Sequence, residues 1–338
     1  MPPLLERLGV ELPVVQAGMG GGLSRHELAA AVSEAGGLGT IAVNGAAAIR
    51  RELAAARALT GRPLAVNLLL PFARRDWFEA AAAADVVVTF WGKPRRRTLG
   101  VWLHQCGSVA EARQAQAAGA DGVILQGVEA GGHVRGATPA LELLAEARAA
   151  LPPGYPLLLA GGIATAADVR AALEAGADGA VAGTRFLLSE ESRAHPSYME
   201  RLLGAEETLL TDLFGAGWPA PHRVVPNAAT DRWLPSTRRR SSFIGLWPTK
   251  DERRLLRAPL GLRGLNRALA PGARYMPQEL QLRMIRAQRP GSRLLSPAGP
   301  TDDAPGTLVD AGALYAGETV ARIQDVRPAA ELVAALSP

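Results

Sequence analysis

The chain has 338 residues, of which 48% are hydrophobic and 20% are charged, and its formal net charge is +5. This apolar content excludes a wholly disordered chain. The length accommodates one α/β barrel of about 250 residues together with an additional lobe.

The first part of the chain alternates between short apolar runs and alanine-rich helical segments. We predict that the apolar runs are parallel strands, because they are continuous rather than alternating, as strands covered on both faces are. The predicted strands are Val14–Gly18, Leu38–Val43, Leu64–Leu70, Val86–Phe90, Val101–Gln105, Gly122–Gln126, Leu157–Ala160 and Gly179–Ala182.

Helices are predicted between most of these strands. In the first helix Ser24 and Glu27 have the spacing of a capping box. After the fourth strand, the link Trp91–Gly100 contains Pro94 and three arginines and is predicted to be irregular. The predicted helices are Ser24–Ala35, Ala47–Leu59, Asp76–Ala84, Val109–Ala118, Pro139–Ala150, Ala166–Ala175 and a helix that begins at Thr184.

This succession of strands and helices predicts a closed (β/α)8 barrel, with an open doubly wound parallel sheet as the alternative. Internal repetition supports the barrel, since Glu34–Gly37, Ala118–Gly122 and Ala175–Gly179 each end a helix and open a strand. Glycine is the usual residue at a helix C-terminus, so the repetition specifies the fold and no chemistry.

After His195 the alternation stops. Residues 196–305 are rich in proline and arginine, and we expect a mainly helical lobe with long loops there. Residues 306–338 are expected to pack back on the barrel, which itself spans residues 1–195. Helices are predicted at Ser197–Leu203, at Gln278–Ala287 and within Gly312–Leu336, most clearly at Ala330–Leu336.

The basic and apolar stretches predict neither a nucleic-acid partner nor a membrane partner. The runs Arg95–Arg97 and Arg238–Arg240 lack an aromatic nucleic-acid motif, so we interpret them as solvated surface. The apolar stretch near Leu64–Phe72 is interrupted by Asn67 and Pro71 and is too short to span a bilayer.

The single cysteine, Cys106, excludes an internal disulfide. The segment Met1–Pro13 has no apolar core of signal-peptide type. We therefore expect a reducing, cytoplasmic setting, in which the thiol has the role of a small buried hydrophobe.

Two glycine sites predict a phosphate-binding region. Barrel active sites lie at the C-terminal ends of the strands, and here the last two strands end in Gly161-Gly162 and Gly183-Thr184. Glycines let backbone N–H groups approach phosphate oxygens, and the Thr184 hydroxyl is a further donor. The structural alternative is that these glycines only form tight turns.

Other loops at the same ends of the strands suit a flat ring and a base. The loop Ala17-Gly18-Met19 allows a ring to lie close over the backbone, and Asn67 and Gln105 carry amides that can bond a ring edge. Buried amides also have structural roles. In the glycine-rich loop Gln126–His133, the histidine is the predicted general base, with an ordinary loop histidine as the alternative.

Together these motifs resemble those of the nitronate monooxygenase (2-nitropropane dioxygenase) family. The similarity covers roughly residues 10–200 and, less closely, Leu314–Ala334. Val134-Arg135-Gly136 departs from the pattern, since many relatives have a shorter link after the histidine, and this leaves the substrate open. The matching motifs are Val14–Met19 with Gly20–Gly22, Glu34–Gly39, Gln126–His133, Ala160–Ile163 and Gly183–Phe186.

The resemblance implies bound FMN and the oxidation of alkyl nitronates or nitroalkanes by O2 to a carbonyl compound and nitrite. His133 matches the histidine that deprotonates a nitroalkane or positions the nitronate. By motif match the flavin positions are Asn67, Gln105, Gln126, Gly131, Gly162, Gly183 and Thr184.

Two other functions stay open. A reductase of the same superfamily would take hydride from NAD(P)H and pass it to a quinone or an enoyl thioester, and the enoyl-acyl-carrier-protein reductases of this barrel type share the Gly-Gly-His motif. That class does not need a Rossmann Gly-x-Gly-x-x-Gly unit, which this sequence lacks. A non-catalytic flavin- or phosphate-binding protein is the third possibility, and His133 argues against it.

Overall fold

A computed structural model describes residues 3–235, 253–273, 275–276 and 278–338. It consists of two compact units. The first comprises the chain up to Ala130, Val134–Arg193 and Arg322–Pro338, and the second comprises Gly131–His133 and Ala194–Ala321. The arginine run Arg238–Arg240 lies outside the described residues.

Short strands supply the frame of both units. In chain order they are β1 (Val14–Gln16), β2 (Gly39–Ile41), β3 (Leu64–Leu69), β4 (Val86–Phe90), β5 (Val101–Cys106), β6 (Gly122–Gln126), β7 (Gly132–His133), β8 (Leu157–Ala160), β9 (Gly179–Ala182), β10 (Leu209–Thr211) and β11 (His222–Val224).

The first unit is a barrel of eight parallel strands, as predicted. Their order is β1-β9-β8-β6-β5-β4-β3-β2, and a parallel bridge between Val15 and Leu38 joins the two ends of the sheet. This bridge excludes the open doubly wound sheet.

The helices of this unit are α1 (Pro3–Arg7), α2 (His26–Glu34), α3 (Ala46–Leu59), α4 (Arg75–Ala81), α5 (Val109–Ala117), α6 (Ala140–Ala150), α7 (Ala166–Glu174), α8 (Thr184–Leu187) and, near the C-terminus, α13 (Ala329–Leu336).

The repeated turns before the strands have the predicted helix-ending conformation. Gly36, Gly119 and Gly176 have φ angles of +91°, +85° and +97°, which favour glycine. The capping box predicted at Ser24 is wrong. Helix α2 has Arg25 as its N-cap without a side-chain cap, because the Ser24 hydroxyl accepts the Met19 N–H at 3.1 Å and closes the loop after β1.

Side-chain alternation in the strands divides the core of the barrel into an inner and an outer layer. The outer layer packs the strands against the helices, and it contains the fully buried Cys106, whose thiol pKa is raised by burial. His104 is also buried, and its Nδ1 lies 2.8 Å from the Thr89 hydroxyl. The inner layer includes Val15, Leu38, Ala65, Val86, Val88, Leu103, Ile124, Leu158 and Val181, together with Leu4 and Leu5 of α1.

The second unit combines helices with a small sheet. Strands β10, β11 and β7 pair in that order and are antiparallel. This sheet was not predicted, because strands of two or three residues are too short to show a periodicity. The helices are α9 (Pro196–Leu203), α10 (Ala228–Trp233), α11 (Leu260–Ala273) and α12 (Gln278–Arg286). The first and last of these confirm the helices predicted near Ser197 and Gln278.

The helix predicted within Gly312–Leu336 is confirmed where the pattern is clearest, at Ala330–Leu336, but the rest of the stretch is not α-helical. A 3-10 helix occupies Glu318–Arg322 in this stretch, and a proper α-helix begins only at Ala329, directly after Pro328 at its N-cap. Proline at that point and Gly317 before the 3-10 turn interrupt the pattern. In α13, Leu332, Val333 and Leu336 join the outer core layer of the barrel.

The exposure of the arginine run and the lengths of the helices relate to the predictions about nucleic-acid and membrane partners. The run Arg95–Arg97 is exposed, and Arg96 pairs with Asp121 at 2.6 Å. Among the described residues, the structure offers no helix with the length and apolar character needed to cross a bilayer.

Candidate active site

The alternation of inward-facing and outward-facing side chains continues to the carboxyl ends of the strands. Side chains of a strand point to opposite faces in turn, so the residue two places beyond an inward residue also faces inward. Applied to Val15, Ala65, Leu103, Ile124 and Val181, this rule defines a group that we call the mouth residues. They are Ala17, Asn67, Gln105, Gln126 and Gly183, all predicted from the sequence as cofactor positions.

Asn67 is the mouth residue whose side chain has an unmet hydrogen-bonding need. Its Nδ2 donates to the Gly18 carbonyl at 3.4 Å, and any side chain at Gly18 would overlap with it. Its Oδ1 is buried and has no hydrogen-bond partner among the described residues. A buried acceptor without a donor is unfavourable by about 1–3 kcal/mol, so this oxygen suits an N–H of a bound ring.

The other residues predicted to contact the ring differ in burial and in which of their groups can reach a ligand. Gln126 is buried, and its Oε1 accepts the Arg135 N–H at 3.1 Å, which fixes the orientation of its amide. Gln105 is half-buried and lies opposite Phe90 of β4. The Met19 side chain packs against the outer core layer, so at this loop the backbone is the part that can meet a ring.

The first predicted phosphate loop needs its glycines for conformation. Gly161 and Gly162 have φ angles of +110° and +79°, which side chains other than glycine rarely adopt. A Cβ at Gly161 would also lie 3.3 Å from Cγ of Glu129, whose Oε1 accepts the Ala140 N–H at the start of α6. Turn formation therefore accounts for glycine at both positions, and the phosphate role of their backbone stays a prediction.

The second predicted phosphate loop is different. Gly183 has no positive φ, and a Cβ there would make only an ordinary 3.7 Å contact with Ala17. The fold does not require glycine at this position, so the missing side chain leaves room at the mouth for something else. Thr184, directly after it, is buried and begins the single turn of α8.

These residues fit a flavin. The unpartnered Asn67 oxygen suits the polar edge of the ring, and the bare backbone at Gly183 suits its phosphate tail. Polar groups of the mouth also include the amides of Gln105 and Gln126, while Ala17 and Gly18 provide a flat backbone surface.

The predicted catalytic residue, His133, belongs to the second unit, as does Gly131. His133 lies on β7 opposite His222 of β11, and its ring is surrounded by aromatic rings. Trp218 stacks on it with ring centroids 3.8 Å apart and an interplanar angle of 24°. The rings of His222 and Tyr315 each lie 5.5 Å from it. We call these three residues the aromatic enclosure.

Hydrogen bonds hold the aromatic enclosure in place. Nδ1 of His222 lies 2.9 Å from the Ala220 carbonyl, and its Nε2 accepts the Phe214 N–H at 3.2 Å, an arrangement that assigns the ring proton to Nδ1. Burial lowers the pKa of His222 to about 4, so this ring is neutral near pH 7. The Tyr315 hydroxyl donates to the Pro297 carbonyl at 2.6 Å.

An ion-pair network stabilises the strand that carries His222. The adjacent Arg223 is fully buried, and its guanidinium lies 3.1 Å from Glu318. Glu318 also receives two hydrogen bonds from Arg253, at 3.1 and 3.0 Å. Gly131 approaches Gly317 so closely that a Cβ at Gly131 would overlap with its backbone. Glu318 therefore contacts β11 through Arg223, and Gly317 lies against Gly131, which directly precedes β7.

Burial decides the protonation state of His133. It lowers the pKa of the imidazole well below its usual value, and the neighbouring His222 lowers it further. The ring is therefore neutral near pH 7. Taking up a proton would place a cation in a site that disfavours it, whereas donating a hydrogen bond through a neutral N–H needs no charge.

The sequence did not reveal the aromatic enclosure. Trp218 and His222 carry no local motif, and they follow His133 by a long stretch of chain. Tyr315 falls within Leu314–Ala334, the segment of weaker family resemblance. The sequence therefore pointed to this segment but gave no role for Tyr315.

A family model, described as nitronate monooxygenase, matches residues 2–94 and 93–234 of the chain. The chain belongs to the nitronate monooxygenase family. It is therefore an enzyme of a family of flavin-dependent oxidoreductases.

Individual relatives support this assignment and show that the family includes proteins named for different reactions. A nitronate monooxygenase of Pseudomonas aeruginosa is 36% identical, and the match covers 60% of this chain and 74% of that protein. A solved nitroalkane oxidase of Streptomyces ansochromogenes has a TM-score of 0.71 at 28% identity and covers 98% of this chain and 96% of its own.

A third relative carries a different reaction in its name. The (3aS,4S,5R,7aS)-5-hydroxy-7a-methyl-1-oxo-octahydro-1H-indene-4-carboxyl-CoA dehydrogenase of Mycobacterium tuberculosis is 32% identical, covering 72% of this chain and 71% of that protein. Membership of the family therefore does not specify the reaction.

Proposed function

We propose that this protein is an FMN-dependent nitronate monooxygenase that converts alkyl nitronates and O2 to a carbonyl compound and nitrite. The observation that carries the proposal is the half-buried, neutral His133 stacked on Trp218, in a chain whose motifs match this family. A hydrogen-bonding group in an aromatic enclosure suits a small anion with an apolar tail.

FMN is the proposed cofactor, and bound there it would supply the redox chemistry. Asn67, Gln105 and Gln126 would bond and orient the ring, while the backbone at Ala17, Gly18 and Met19 would lie against it. Gly161, Gly162, Gly183 and Thr184 would hold the phosphate. FAD is disfavoured because the sequence has no second nucleotide-binding motif.

His133 would bind the nitronate rather than create it. A neutral imidazole N–H can donate to a nitronate oxygen, and hydrogen bonds to charged groups contribute about 1.5–3 kcal/mol. If His133 removed a proton from a neutral nitroalkane, it would become an imidazolium, against the direction of its pKa shift. We therefore expect nitronates to be better substrates than neutral nitroalkanes.

The second candidate is an NAD(P)H-dependent reductase acting on a quinone or an enoyl thioester. The 32% identical relative that is a CoA-thioester dehydrogenase favours it. In this case His133 would bond a carbonyl oxygen instead of a nitronate.

Anaerobic stopped-flow mixing separates the two candidates. The flavin-loaded protein is mixed with an alkyl nitronate, with NADH and with NADPH, and the loss of flavin absorbance is followed. Fast reduction by nitronate alone supports the oxygenase. Fast reduction by a nicotinamide, with nitronate inert, would replace it with the reductase, and a protein that takes up no FMN would contradict both.

A further inference from the structure

A cavity of about 300 Å³ lies in the barrel unit, between the start of α7 and the segment before α13. This volume is many times what one water molecule needs. Its lining is polar and basic, and includes Thr165, Ala166, Arg185, Arg322, Asp325 and Arg327. Arg185 lies within the family motif Gly183–Phe186, but none of these residues is among the individual positions assigned to the ring or to the phosphate.

Arg185 is the buried cation of this cavity. Only 7% of its side chain is exposed. One terminal nitrogen lies 2.5 Å from Oδ1 of Asp325, and the other donates to the Leu188 carbonyl at 3.0 Å and to the Asp325 carbonyl at 2.5 Å. Its Nε is buried without a hydrogen-bond partner among the described residues. A buried N–H of a charged group is unfavourable without an acceptor, so an acceptor is expected beside it.

Two further arginines add positive charge to the lining. Arg322 lies 3.0 Å from Oδ1 of Asp168 and donates to the Gly162 carbonyl at 3.1 Å. Nε of Arg327 lies 3.1 Å from Asp325. Their side chains are 49% and 38% exposed, so both are more accessible than that of Arg185. Three guanidinium groups thus face two carboxylates, an excess of one positive charge.

The start of α7 adds backbone donors. The Asp168 carboxylate accepts the N–H groups of Ala164 and Thr165, and the Thr165 hydroxyl accepts the Asp168 N–H. The N–H of Ala166 lies between these capped positions, in the first helical turn, where the helix itself provides no acceptor. Ala166 lines the cavity, so the positive end of the helix dipole faces it.

We propose that this cavity binds a phosphoryl group, as a site additional to that for the cofactor phosphate. A phosphoryl group offers several anionic oxygens to the Nε of Arg185, to the guanidinium groups of Arg322 and Arg327 and to the Ala166 N–H. Its source is either inorganic phosphate or a phosphomonoester on a larger molecule, such as the 2′-phosphate of NADPH or the 3′-phosphate of CoA.

Calorimetric titration of the flavin-loaded protein with inorganic phosphate at low ionic strength tests the proposal without measuring activity. We expect Arg322→Gln and Arg327→Gln each to weaken binding about tenfold, since each removes a charged donor. Asp325→Asn should tighten binding, because it removes a negative charge from the lining. A misfolded variant would not gain affinity, so this substitution keeps the test decisive.

Arg62→Gln is the matched control. Arg62 pairs with Glu11 at 2.5 Å, is similarly exposed, and precedes β3 at the opposite end of the barrel. It should leave phosphate binding unchanged. No phosphate binding, or equal binding by all the variants, would overturn the proposal. The titration is repeated with the flavin-free protein, and phosphate binding that occurs only there would also overturn the proposal by assigning the cavity to the cofactor.

Matched pairs identify the source of the phosphoryl group. NADPH is compared with NADH, and CoA with dephospho-CoA, in wild type and in Arg327→Gln. A preference for the phosphorylated member that Arg327→Gln abolishes identifies that carrier. Phosphate binding without such a preference identifies inorganic phosphate as the ligand. Because binding is read by heat, these results stand even if the nitronate reaction is wrong.

Discussion

The mouth residues and the aromatic enclosure around His133 are built in different ways. The mouth residues come from five barrel strands, and the strand period alone places them on one side of the sheet. The aromatic enclosure surrounds a histidine on a two-residue strand with rings from residues that lie far from it in the chain. Hydrogen bonds such as that between Tyr315 and Pro297 hold the enclosure in place.

This difference indicates how each region can change. A barrel mouth inherits its geometry from the whole sheet, so one substitution alters what the mouth binds without altering its shape. The enclosure depends on a few specific contacts, so a substitution there changes the surroundings of His133 itself. The following predictions test this contrast, beginning with the largest expected effect.

Gly183→Val should abolish or severely weaken flavin binding while the barrel stays folded. A Cβ at this position meets only Ala17, at 3.7 Å, so the fold tolerates it, but the branched side chain fills the space proposed for the phosphate. We expect at least about a hundredfold loss of FMN affinity, measured by fluorescence titration, since several charge-assisted bonds are lost together.

Gly61→Val is the control for that substitution, because a Cβ at Gly61 meets nothing within 4 Å and the residue has no positive φ. It should bind FMN normally. Wild-type affinity in Gly183→Val would show that the phosphate lies elsewhere.

His133→Asn should lower kcat/KM for nitronates by about 10- to 100-fold with FMN still bound, which is the effect of one hydrogen bond to a charged group. Turnover of neutral nitroalkanes should be slow in wild type and change less. Steady-state kinetics with both substrate forms measures this.

His195→Asn is the matched control, since Nδ1 of His195 caps α9 by accepting the Ser197 N–H at 3.1 Å and asparagine is also a good N-cap. If His133→Asn slowed neutral nitroalkanes more than nitronates, His133 would act as a base and our assignment would be wrong.

Trp218→Leu should have a smaller effect, about two- to tenfold on kcat/KM, because an aromatic stack contributes about 0.5–1.5 kcal/mol. It should also expose His133 to water and raise its pKa towards the usual value, which moves the acid limb of the pH–rate profile upwards. Trp233→Leu, in the same unit, should not move that limb. An unshifted limb in Trp218→Leu would mean that the stack does not control protonation.

The last prediction concerns stability at low pH. Burial lowers the pKa of His104 in the barrel, as it does that of His222 in the second unit, to about 4. As pH falls from 6.5 towards 4, the unfolded chain binds protons that the folded chain does not, so stability decreases by up to about 1.4 kcal/mol per pH unit and histidine.

His104→Asn should remove the barrel's share of this pH dependence, and His222→Asn that of the second unit. Urea unfolding between about pH 7 and about pH 5, followed by tryptophan fluorescence, gives the free energy of unfolding at each pH and so its slope against pH. Slopes equal to that of wild type in both variants would contradict the assigned protonation states.

Where a feature depends on local periodicity, the sequence was sufficient to predict it. The strands Val86–Phe90, Gly122–Gln126, Leu157–Ala160 and Gly179–Ala182 match the prediction to the residue, because buried parallel strands have continuous apolar runs. Ser24 was misassigned because a capping motif does not say which backbone N–H its hydroxyl will meet. The stacking of Trp218 on His133 depends on tertiary packing, which no local pattern encodes.

Cys106 gives this protein a built-in probe of its own motions. The chain has this one thiol, it is fully buried on the outer side of β5, and burial raises its pKa. A thiol reagent can therefore modify it only when the layer between β5 and α5 opens. The modification rate, followed by mass spectrometry, would report how often the barrel wall opens, and its slowing by FMN would measure how far the cofactor stabilises a wall that it need not touch.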